Sequence, residues 1–399
     1  MHFPTDVTSR LFTVLGQDIS KLYIAVAIRN FALGMVMIFE PVYLYLYFDR
    51  SIPATLLFFA VIFGLYAFIA AWGGKIVAAL GPAHSILVSF FLYLGYFVFL
   101  LFLPISPFFL GAVILLGALG MLFFWPAFHT DLTRFSSAGH RGEEVGWTAV
   151  MFLPYVVSPL LGGIILTKLG YEGLFVSVLM VLLAAAVPLF SARRVKEEYE
   201  DGFLQAWKRV FSRTNIRETV GFAANGIEIA IASYIWPLYM FLLAVSVSIM
   251  GAITSAALVA ASLFMLYAGK IADTEDRGWL LNVGAVWTAF SWFLKYFVHT
   301  PFDVFLAHII YRTSRAAAGV PFQTFFYEKA ARREREADEY IMYREIVINF
   351  SRFLFFGLFA LILFLWPEFG LKSAFLAAAL FSLAFMLLGK LPNLRPRAI

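Results

Sequence analysis

Long apolar stretches follow one another along this chain and alternate with short polar segments. Each stretch has about 20 residues, the length that a helix needs to cross the ~30 Å hydrocarbon core of a bilayer. The stretches are too long for the roughly 10-residue strands of a membrane barrel. The pattern predicts twelve transmembrane helices, near residues 21–47, 53–79, 84–103, 107–130, 145–168, 172–191, 218–243, 248–272, 279–299, 302–326, 340–366 and 371–389.

A polar connection, the longest between two spans, divides the predicted helices into two groups of six. We therefore expect an all-α, polytopic membrane protein whose twelve transmembrane helices form two six-helix pseudo-symmetric halves. The expected halves are residues 1–191 and 218–399, and the expected cytoplasmic linker is residues 192–217.

The linker has an apolar face of its own. Phe203, Trp207 and Phe211 fall on one side of a helix, because they are four residues apart, and Lys208 and Arg209 lie beside them. This spacing predicts a short amphipathic helix on the inner leaflet. The alternative is an ordinary charged linker.

A short motif recurs in the second half of the chain. Gly74-Lys75-Ile76 returns as Gly269-Lys270-Ile271, 195 residues later, each time at the end of a long apolar stretch. Other landmarks recur at nearly the same offset, namely Pro41 with Pro237, Pro107 with Pro301, Pro126 with Pro321 and Gly162 with Gly357. The recurrence predicts two copies of one membrane unit, an arrangement from which transporters build a site between two halves.

Composition supports the membrane class. Hydrophobic residues make up 62% of the chain, against roughly 45–50% in soluble domains. The chain has no cysteine, so disulfides and thiolate metal sites are excluded, and we expect neither a metal nor a cofactor. It contains no Gly-rich Lys-Ser/Thr nucleotide loop, no His-Glu-x-x-His and no Gly-x-Ser-x-Gly, so neither an enzyme nor an ATP-driven pump is expected.

Charge indicates the orientation. With both termini in the cytoplasm, most Lys and Arg residues lie on that side, and only Arg50, Lys168 and Lys372 lie outside. The positive-inside rule favours this topology for a multi-pass protein of the cell membrane. The basic residues are dispersed over short loops, which gives no support for nucleic-acid binding.

These features together resemble the major facilitator superfamily. In that family, a Gly-x-x-x-Asp pattern followed by basic residues lies between the second and third spans. Gly269-Lys270-Ile271-Ala272-Asp273 with Arg277 fits its start, whereas the first copy has Ala78 in place of the acid. The resemblance implies a secondary transporter with inverted repeats inside each half, and it gives gating roles to Gly74, Lys75, Gly81, Asp131, Arg134, Arg141, Gly269, Lys270, Asp273 and Arg277.

The fifth span contains a further motif, Ser158-Pro159-Leu160-Leu161-Gly162-Gly163. It is similar to a Gly/Pro-rich motif that the family has especially in exporters, although Ser158 stands where glycine is expected. The alternative is generic close packing of helices through small residues.

Charged residues inside the spans indicate a pathway, because a charge at the bilayer centre costs about 2.5–3.5 kcal/mol on insertion scales. His308, Arg312 and Arg315 share one face of span ten, and Glu345, Asn349 and Arg352 repeat that spacing on span eleven, so we expect an arginine-rich wall. Lys295 is expected to snorkel to the membrane surface. The predicted substrate-binding residues are Arg29, Asn30, Asn225, Arg312, Arg315, Asn349, Arg352, Trp125 and Trp236.

The buried charges do not balance. Arg29, Arg312, Arg315 and Arg352 outnumber the carboxylates well inside the spans, which are Glu228 and Glu345. An anionic or carboxylate-bearing substrate would supply the missing charge, and the arginine fork suits it. The alternative is that the carboxylates pair with arginines and only hold helices together.

Proton coupling needs a titratable group in the interior. Glu228, in the middle of span seven, is the first candidate, and Glu345, Glu40 and His308 are weaker ones. The alternative is a satisfied structural carboxylate.

The sequence therefore predicts a monomeric secondary active transporter that works by alternating access in a lipid bilayer. Proton coupling is expected, and the substrate is expected to be a small anionic or amphipathic molecule. A multidrug-type exporter of lipophilic compounds is the alternative within the same fold. A non-transporting membrane scaffold or an intramembrane enzyme is the alternative of another class.

Overall fold

The computed structural model describes residues 18–135, 141–192, 199–274, 277–333 and 336–389. Within these ranges, the side chains outside the description are those of residues 18–20, 134–135, 141–153, 266–274, 277 and 389.

All regular structure in the described ranges is helical, which confirms the predicted all-α class there. The helices of the first part of the chain are α1 (Asp18–Val36), α2 (Glu40–Tyr47), α3 (Ile52–Leu80), α4 (Pro82–Phe102), α5 (Phe109–Phe135), α6 (Arg141–Ala186) and α7 (Phe203–Val210). Those of the second part are α8 (Ile216–Ala230), α9 (Trp236–Leu242), α10 (Val247–Thr274), α11 (Arg277–Tyr296), α12 (Pro301–Arg332), α13 (Ala337–Leu365), α14 (Ser373–Leu383) and α15 (Met386–Gly389). A π-helical turn (Ile231–Ile235) joins α8 to α9, and short 3₁₀ turns cover Val187–Ser191, Arg213–Asn215 and Pro367–Phe369.

The recurring prolines lie at matching places in these helices. Pro41 follows a break where α1 and α2 bend by 42°, and Pro237 follows the π-helical turn between α8 and α9. Pro126 and Pro321 both lie inside long helices, α5 and α12. Proline lacks the N–H that a helix interior needs and its ring displaces the preceding turn, so it is found where a helix begins, bends or bulges.

Fewer helices pass a test for membrane spanning than the twelve predicted. By length and apolar composition six helices pass in the described ranges, and the bent pair α1–α2 makes seven. The other predicted spans coincide with α8–α9, α11, α12 and α14–α15, which are interrupted or contain charged side chains. The number twelve therefore stays a prediction.

One of the helices that pass the membrane-spanning test contains two predicted spans. Helix α6 has 46 residues, which at 1.5 Å per residue would be about 69 Å long, far more than one bilayer core. Gly170 interrupts it with φ 68° and ψ −172°, a conformation essentially restricted to glycine. The interruption lies between the fifth and sixth predicted spans.

Helices from the two parts of the chain pack directly on each other. Helix α3 packs along α13, and α6 packs along α10, while α1 also packs on α6. The packing at α6 is close, since a Cβ at Gly162 would overlap the carbonyl oxygen of Met35 in α1, and one at Gly251 would overlap that of Pro159. The Gly/Pro-rich segment of α6 thus forms helix contacts on two sides.

Helix α7 lies inside the predicted linker. Its Phe203 packs on Trp72 of α3 with ring centroids 4.8 Å apart, and its Trp207 packs on Phe350 of α13 at 5.1 Å. The apolar face of α7 therefore contacts both α3 and α13.

The polar face of α7 is held by carboxylates. Arg209 Nε donates to Asp201 Oδ2 at 2.6 Å, and Arg209 Nη1 donates to Glu336 Oε2 at 3.1 Å. Burial alone would lower the pKa of Arg209, but the hydrogen bonds to these two carboxylates raise it above its ordinary value.

Replacing Gly162 by alanine is expected to destabilise the protein. The added methyl meets backbone of α1, which cannot move aside as a flexible side chain can, so we expect a loss of about 1–3 kcal/mol in the free energy of unfolding. The measurement is thermal unfolding of the purified protein in detergent.

The matched control is Gly357→Ala, at the position that recurs with Gly162 in the sequence. A Cβ at Gly357 meets no described atom within 4 Å, and alanine favours helix over glycine by about 1 kcal/mol. We expect an unchanged or higher melting temperature. Equal destabilisation by both changes would contradict the close α1–α6 contact.

Candidate functional site

An ion pair in the interior joins α8 to α12. Glu228 is fully buried, and its Oε2 accepts a hydrogen bond from Arg315 Nε at 3.0 Å. Its Oε1 accepts from Trp292 Nε1 of α11 at 2.8 Å, and Asn225 Oδ1 accepts from Arg315 Nη2. Both carboxylate oxygens have donors, an arrangement suited to an ionised carboxylate.

Lys295 lies beside this ion pair in a box of aromatic rings. Its Nζ is 3.8 Å from the ring centroid of Tyr311, 4.0 Å from Trp292 and 4.1 Å from Trp236. The prediction that Lys295 snorkels was wrong, because the side chain is fully buried under rings from α9, α11 and α12. Its ammonium has no hydrogen-bond partner among the described atoms, so cation–π attraction is the contact that stabilises its charge.

His308 forms one wall near the lysine. It is 2% exposed and stacks on Trp236 with an interplanar angle of 13°. Neither of its ring nitrogens has a hydrogen-bond partner among the described residues.

A second polar network centres on Glu345 of α13. Arg344 Nη1 donates to Glu345 Oε1 at 2.8 Å and to His129 Nε2 of α5 at 2.9 Å. Tyr66 of α3 donates to Glu345 Oε2 at 3.0 Å, and His129 Nδ1 is 2.8 Å from the hydroxyl of Tyr327 of α12. The network ties α3 and α5 to α12 and α13.

Of this network, sequence reasoning placed Glu345 among the site residues and did not place Arg344, Tyr66, Tyr327 or His129 there. A usable signal was present, since Arg344 precedes a predicted site residue inside an apolar span. The described residues contain no group of three or more His, Asp or Glu side chains able to hold a metal ion.

The predicted polar stripe on α13 is joined by hydrogen bonds. Asn349 Nδ2 donates to the carbonyl oxygen of Glu345 at 2.8 Å, and Arg352 Nη1 donates to Asn349 Oδ1 at 3.2 Å. Arg352 Nε also donates to the carbonyl oxygen of Gly226 in α8 at 2.9 Å. Since Arg315 also binds α8, one arginine from each stripe attaches to that helix.

Arg29 of α1 differs from the other buried arginines. It is 4% exposed, and its guanidinium carbon lies 3.3 Å from the ring centroid of Phe124 and 5.1 Å from that of Tyr93. Its Nη1 donates to Asn30 Oδ1 at 3.2 Å, and its Nε has no hydrogen-bond partner in the described ranges. No described carboxylate lies within ion-pair distance of it, and Glu40 instead accepts a hydrogen bond from Tyr96 of α4.

Arg312 is also without a described carboxylate. It is half-buried and lies beside the Tyr155 hydroxyl of α6, on the other part of the chain. Trp125, the remaining predicted binding residue, stacks on His129 at 5.8 Å. Arg315 and Arg352 thus bind α8, while Arg29 lies beside Tyr93 of α4 and Arg312 beside Tyr155 of α6, neither with a described carboxylate partner.

The predicted gating residues lie partly outside the description. Gly81 connects α3 to α4 with φ 78°, which favours glycine, and Lys75 is exposed. Thr130, next to the half-buried Asp131, donates to Asp338 Oδ1 of α13 at 2.7 Å. The other predicted gating residues have side chains that the structure does not describe; they are Arg134, Arg141, Gly269, Lys270, Asp273 and Arg277.

A small cleft lies beside Thr130 and Asp338. Its lining includes Gly74 and Ala78 of α3, Thr130 of α5, Asp338 of α13 and Tyr199 of the linker. A Cβ at Gly74 would overlap the ring of Tyr199, so the glycine allows the linker to approach α3.

Breaking the Glu228–Arg315 ion pair is expected to lower the free energy of unfolding. Glu228→Gln leaves Arg315 without its counter-charge in a low-dielectric interior, and we expect a loss of about 3–5 kcal/mol. The double variant Glu228→Gln/Arg315→Met should regain part of that loss in a thermal-unfolding measurement. The control is Glu336→Gln at the exposed pair with Arg209, where about 0–1 kcal/mol is expected. Equal losses at the two sites would contradict the buried pairing.

Solved structures with similar folds are transporters. A POT family transporter in complex with 5-aminolevulinic acid has a TM-score of 0.66 at 12% identity, over 92% of this chain and 94% of that one. The human organic anion transporter MFSD10 (TETRAN) has a TM-score of 0.68 at 12% identity, over 92% and 98% of the chains. The nucleoside transporter NupG has a TM-score of 0.66 at 15% identity, over 93% and 99%. At these identities the likeness shows the fold.

A search of curated protein sequences gave no match. A sequence model of the Major Facilitator Superfamily, however, matches residues 22–354, well over half of the chain. This protein therefore belongs to the Major Facilitator Superfamily and is a multi-pass membrane transporter, not an enzyme.

Proposed function

We propose that this protein is a secondary active transporter that moves a small anionic solute across the cell membrane by alternating access. In this proposal, twelve spans form two halves, residues 1–191 and 218–399, that rock about the linker 192–217 with both termini in the cytoplasm. The direct packing of α3 on α13 and of α6 on α10 supports a moving interface between the halves.

The observation that carries the substrate class is the uncompensated Arg29. A buried guanidinium without a carboxylate is unfavourable in a low-dielectric interior, and an anionic ligand would supply the missing charge. Arg312, beside Tyr155, offers a second cation from the opposite half. Asn30, Asn225, Asn349, Trp125 and Trp236 would surround the solute.

Two proteins with similar folds are described with a carboxylate-bearing or an anionic solute. One is bound to 5-aminolevulinic acid, and the other is called an organic anion transporter. Because these two proteins are only 12% identical to this chain, they support the proposed substrate class through the shared fold alone.

An exporter of lipophilic compounds is the second candidate. The supporting observation is an aromatic cluster between α3, the π-helical turn and α13, in which the Phe59 and Tyr234 rings are 4.2 Å apart and the Phe63 and Phe356 rings 5.8 Å apart. Such a surface would receive an apolar solute in place of an anion.

Proton coupling would use the carboxylates of the interior. Each accepts a hydrogen bond from an aromatic side chain: Glu40 from Tyr96, Glu228 from Trp292 and Glu345 from Tyr66. Protonation of Glu228 would release Arg315, which could then bind the anion of the solute. Proton and solute would in this way bind together.

A thermal-shift screen tests the substrate class. Organic anions, sugars, peptides and cationic drugs are added to the purified protein at two pH values, and we expect stabilisation by organic anions. Arg29→Gln should weaken the response about tenfold or more, since a charged hydrogen bond contributes about 1.5–3 kcal/mol. Arg333→Gln, at the end of α12, is the control for loss of one positive charge. Stabilisation by lipophilic cations alone would favour the exporter.

Proteoliposomes test the coupling. With the most stabilising anion as substrate, Glu228→Gln should abolish uptake driven by a pH gradient and retain counterflow exchange, because the neutral side chain binds no proton while the helices still move. Unchanged pH-driven uptake would remove Glu228 as the coupling site. Loss of both activities together with misfolding would be recognised by size-exclusion chromatography.

A further inference from the structure

Trp292 of α11 lies between two opposite charges. Its Nε1 donates to Glu228 Oε1 at 2.8 Å, while its ring centroid is 4.0 Å from Lys295 Nζ, about one helical turn further along α11. Both charged side chains are fully buried. One indole therefore separates the ammonium from a carboxylate that Arg315 already binds.

Tyr311 makes the same connection from the neighbouring helix α12. Its ring centroid is 3.8 Å from Lys295 Nζ, and its hydroxyl lies beside the Glu228 carboxylate. In this arrangement the charges of Lys295 and Glu228 attract each other. Two aromatic side chains thus contact the lysine with their rings and the carboxylate with their polar edges.

The lysine has unused capacity for hydrogen bonds. An ammonium carries three donors, and Lys295 Nζ has no hydrogen-bond partner among the described atoms. The rings of Trp236, Trp292 and Tyr311 stabilise its charge, whereas Arg312 nearby repels it. A charge-assisted hydrogen bond to a carboxylate would satisfy the ammonium better than ring faces do, and the four-carbon stem of lysine is flexible enough to make the exchange.

Glu228 needs a new partner in one state of the proposed transport cycle. In that state Arg315 leaves the carboxylate and binds the anion of the solute. Glu228 Oε2 then loses the guanidinium that it binds in this structure. An ionised carboxylate without a cation is strongly unfavourable in a nonpolar interior. Lys295 is a second cation that this carboxylate already attracts.

We propose that Lys295 is a second counter-ion of Glu228, which takes the place of Arg315 when that arginine binds the anion of the solute. Trp292 keeps its hydrogen bond to Oε1, and the ammonium binds Oε2. The exchange lets the proton leave Glu228 while Arg315 still holds the solute, because the carboxylate keeps a counter-charge. The inference rests on the proposed anion transport and adds a residue that acts through Glu228 without contacting the solute.

A double-mutant cycle on stability tests the exchange without any solute. Melting temperatures are measured in detergent at about pH 8, far above the ordinary pKa of a glutamate, about 4.3, so that protonation does not replace a missing cation. In the unmodified protein, Lys295→Met removes a buried charge that has no hydrogen-bond partner, and we expect an unchanged or higher melting temperature. In Arg315→Met, where Lys295 has become the partner of Glu228, the same change should lower it by about 3 °C or more.

The matched control is Arg312→Met, which removes a cation of α12 that also lies near Lys295. Its effect should be the same in Arg315→Met as in the unmodified protein. Additive effects of Lys295→Met and Arg315→Met, or coupling of Arg315→Met to Arg312→Met instead, would overturn the proposal.

Failure to fold is also informative in this cycle. If Arg315→Met/Lys295→Met does not fold while Arg315→Met/Arg312→Met does, the expected coupling is present in its extreme form. If Arg315→Met alone does not fold, or if both double variants do not, Lys295 does not replace the arginine and the proposal is wrong.

Solute binding distinguishes a counter-ion from a solute ligand. Succinate, benzoate and inorganic phosphate serve as test anions in thermal-shift titrations. Lys295→Met should weaken the binding of the most stabilising anion about tenfold or more, because Glu228 is then left without a cation. In Glu228→Gln the same change should leave the affinity unaltered, since no carboxylate needs a new partner. Weaker binding in both backgrounds would make Lys295 a solute ligand and overturn the exchange.

The two kinds of measurement also separate this inference from the proposed substrate class. If none of the three anions binds, the proposed substrate class fails, and the melting temperatures alone decide whether Lys295 replaces Arg315. If an anion binds but the cycle is additive, the substrate class stands and the exchange does not.

Discussion

Charge inside a nonpolar interior is the constraint on which the arrangement of these helices depends. An unpaired buried ion loses its hydration, and packing alone does not return that free energy. Glu228 meets Arg315 of another helix, and Glu345 meets Arg344 of its own. Each pair also recruits neighbours that satisfy the remaining oxygens, so each carboxylate joins three or more helices. The same charged groups that make the interior polar therefore join its helices to one another.

Two other buried cations, Arg29 and Lys295, are accommodated by aromatic rings. Arg29 lies over Phe124, and Lys295 lies among three rings, Trp236, Trp292 and Tyr311. Aromatic faces stabilise a cation without neutralising it. Neither Arg29 nor Lys295 takes part in a described ion pair. Under the proposed transport function, an arginine such as Arg29 would attract an anion, and its aromatic contacts would hold it when the site is empty.

Periodicity in the sequence predicted features that depend on one helix. The Glu345, Asn349 and Arg352 stripe is real because its members share one face of α13. The environment of Lys295 could not be predicted in this way, because its rings come from three helices and their depth is set by tertiary packing. His129 and Arg344 are 215 residues apart, so no local pattern connects them. Charged side chains in α11 and α12 also lower the mean hydropathy of these two helices, which do not pass the membrane-spanning test.

The matched prolines allow the two parts of the chain to be compared position by position. With Pro41 set against Pro237, Tyr96 of α4 corresponds to Trp292 of α11, and both donate to a carboxylate that precedes the proline in the chain. The acids differ in depth, because Glu40 directly precedes its proline whereas Glu228 lies nine residues before Pro237. That offset is about two helical turns. The aromatic donor is thus matched in the two parts of the chain, but in the second part the carboxylate lies further from the proline, where Arg315 of α12 pairs with it. In the first part the acid lies near the helix break, and Arg29 has no described carboxylate partner.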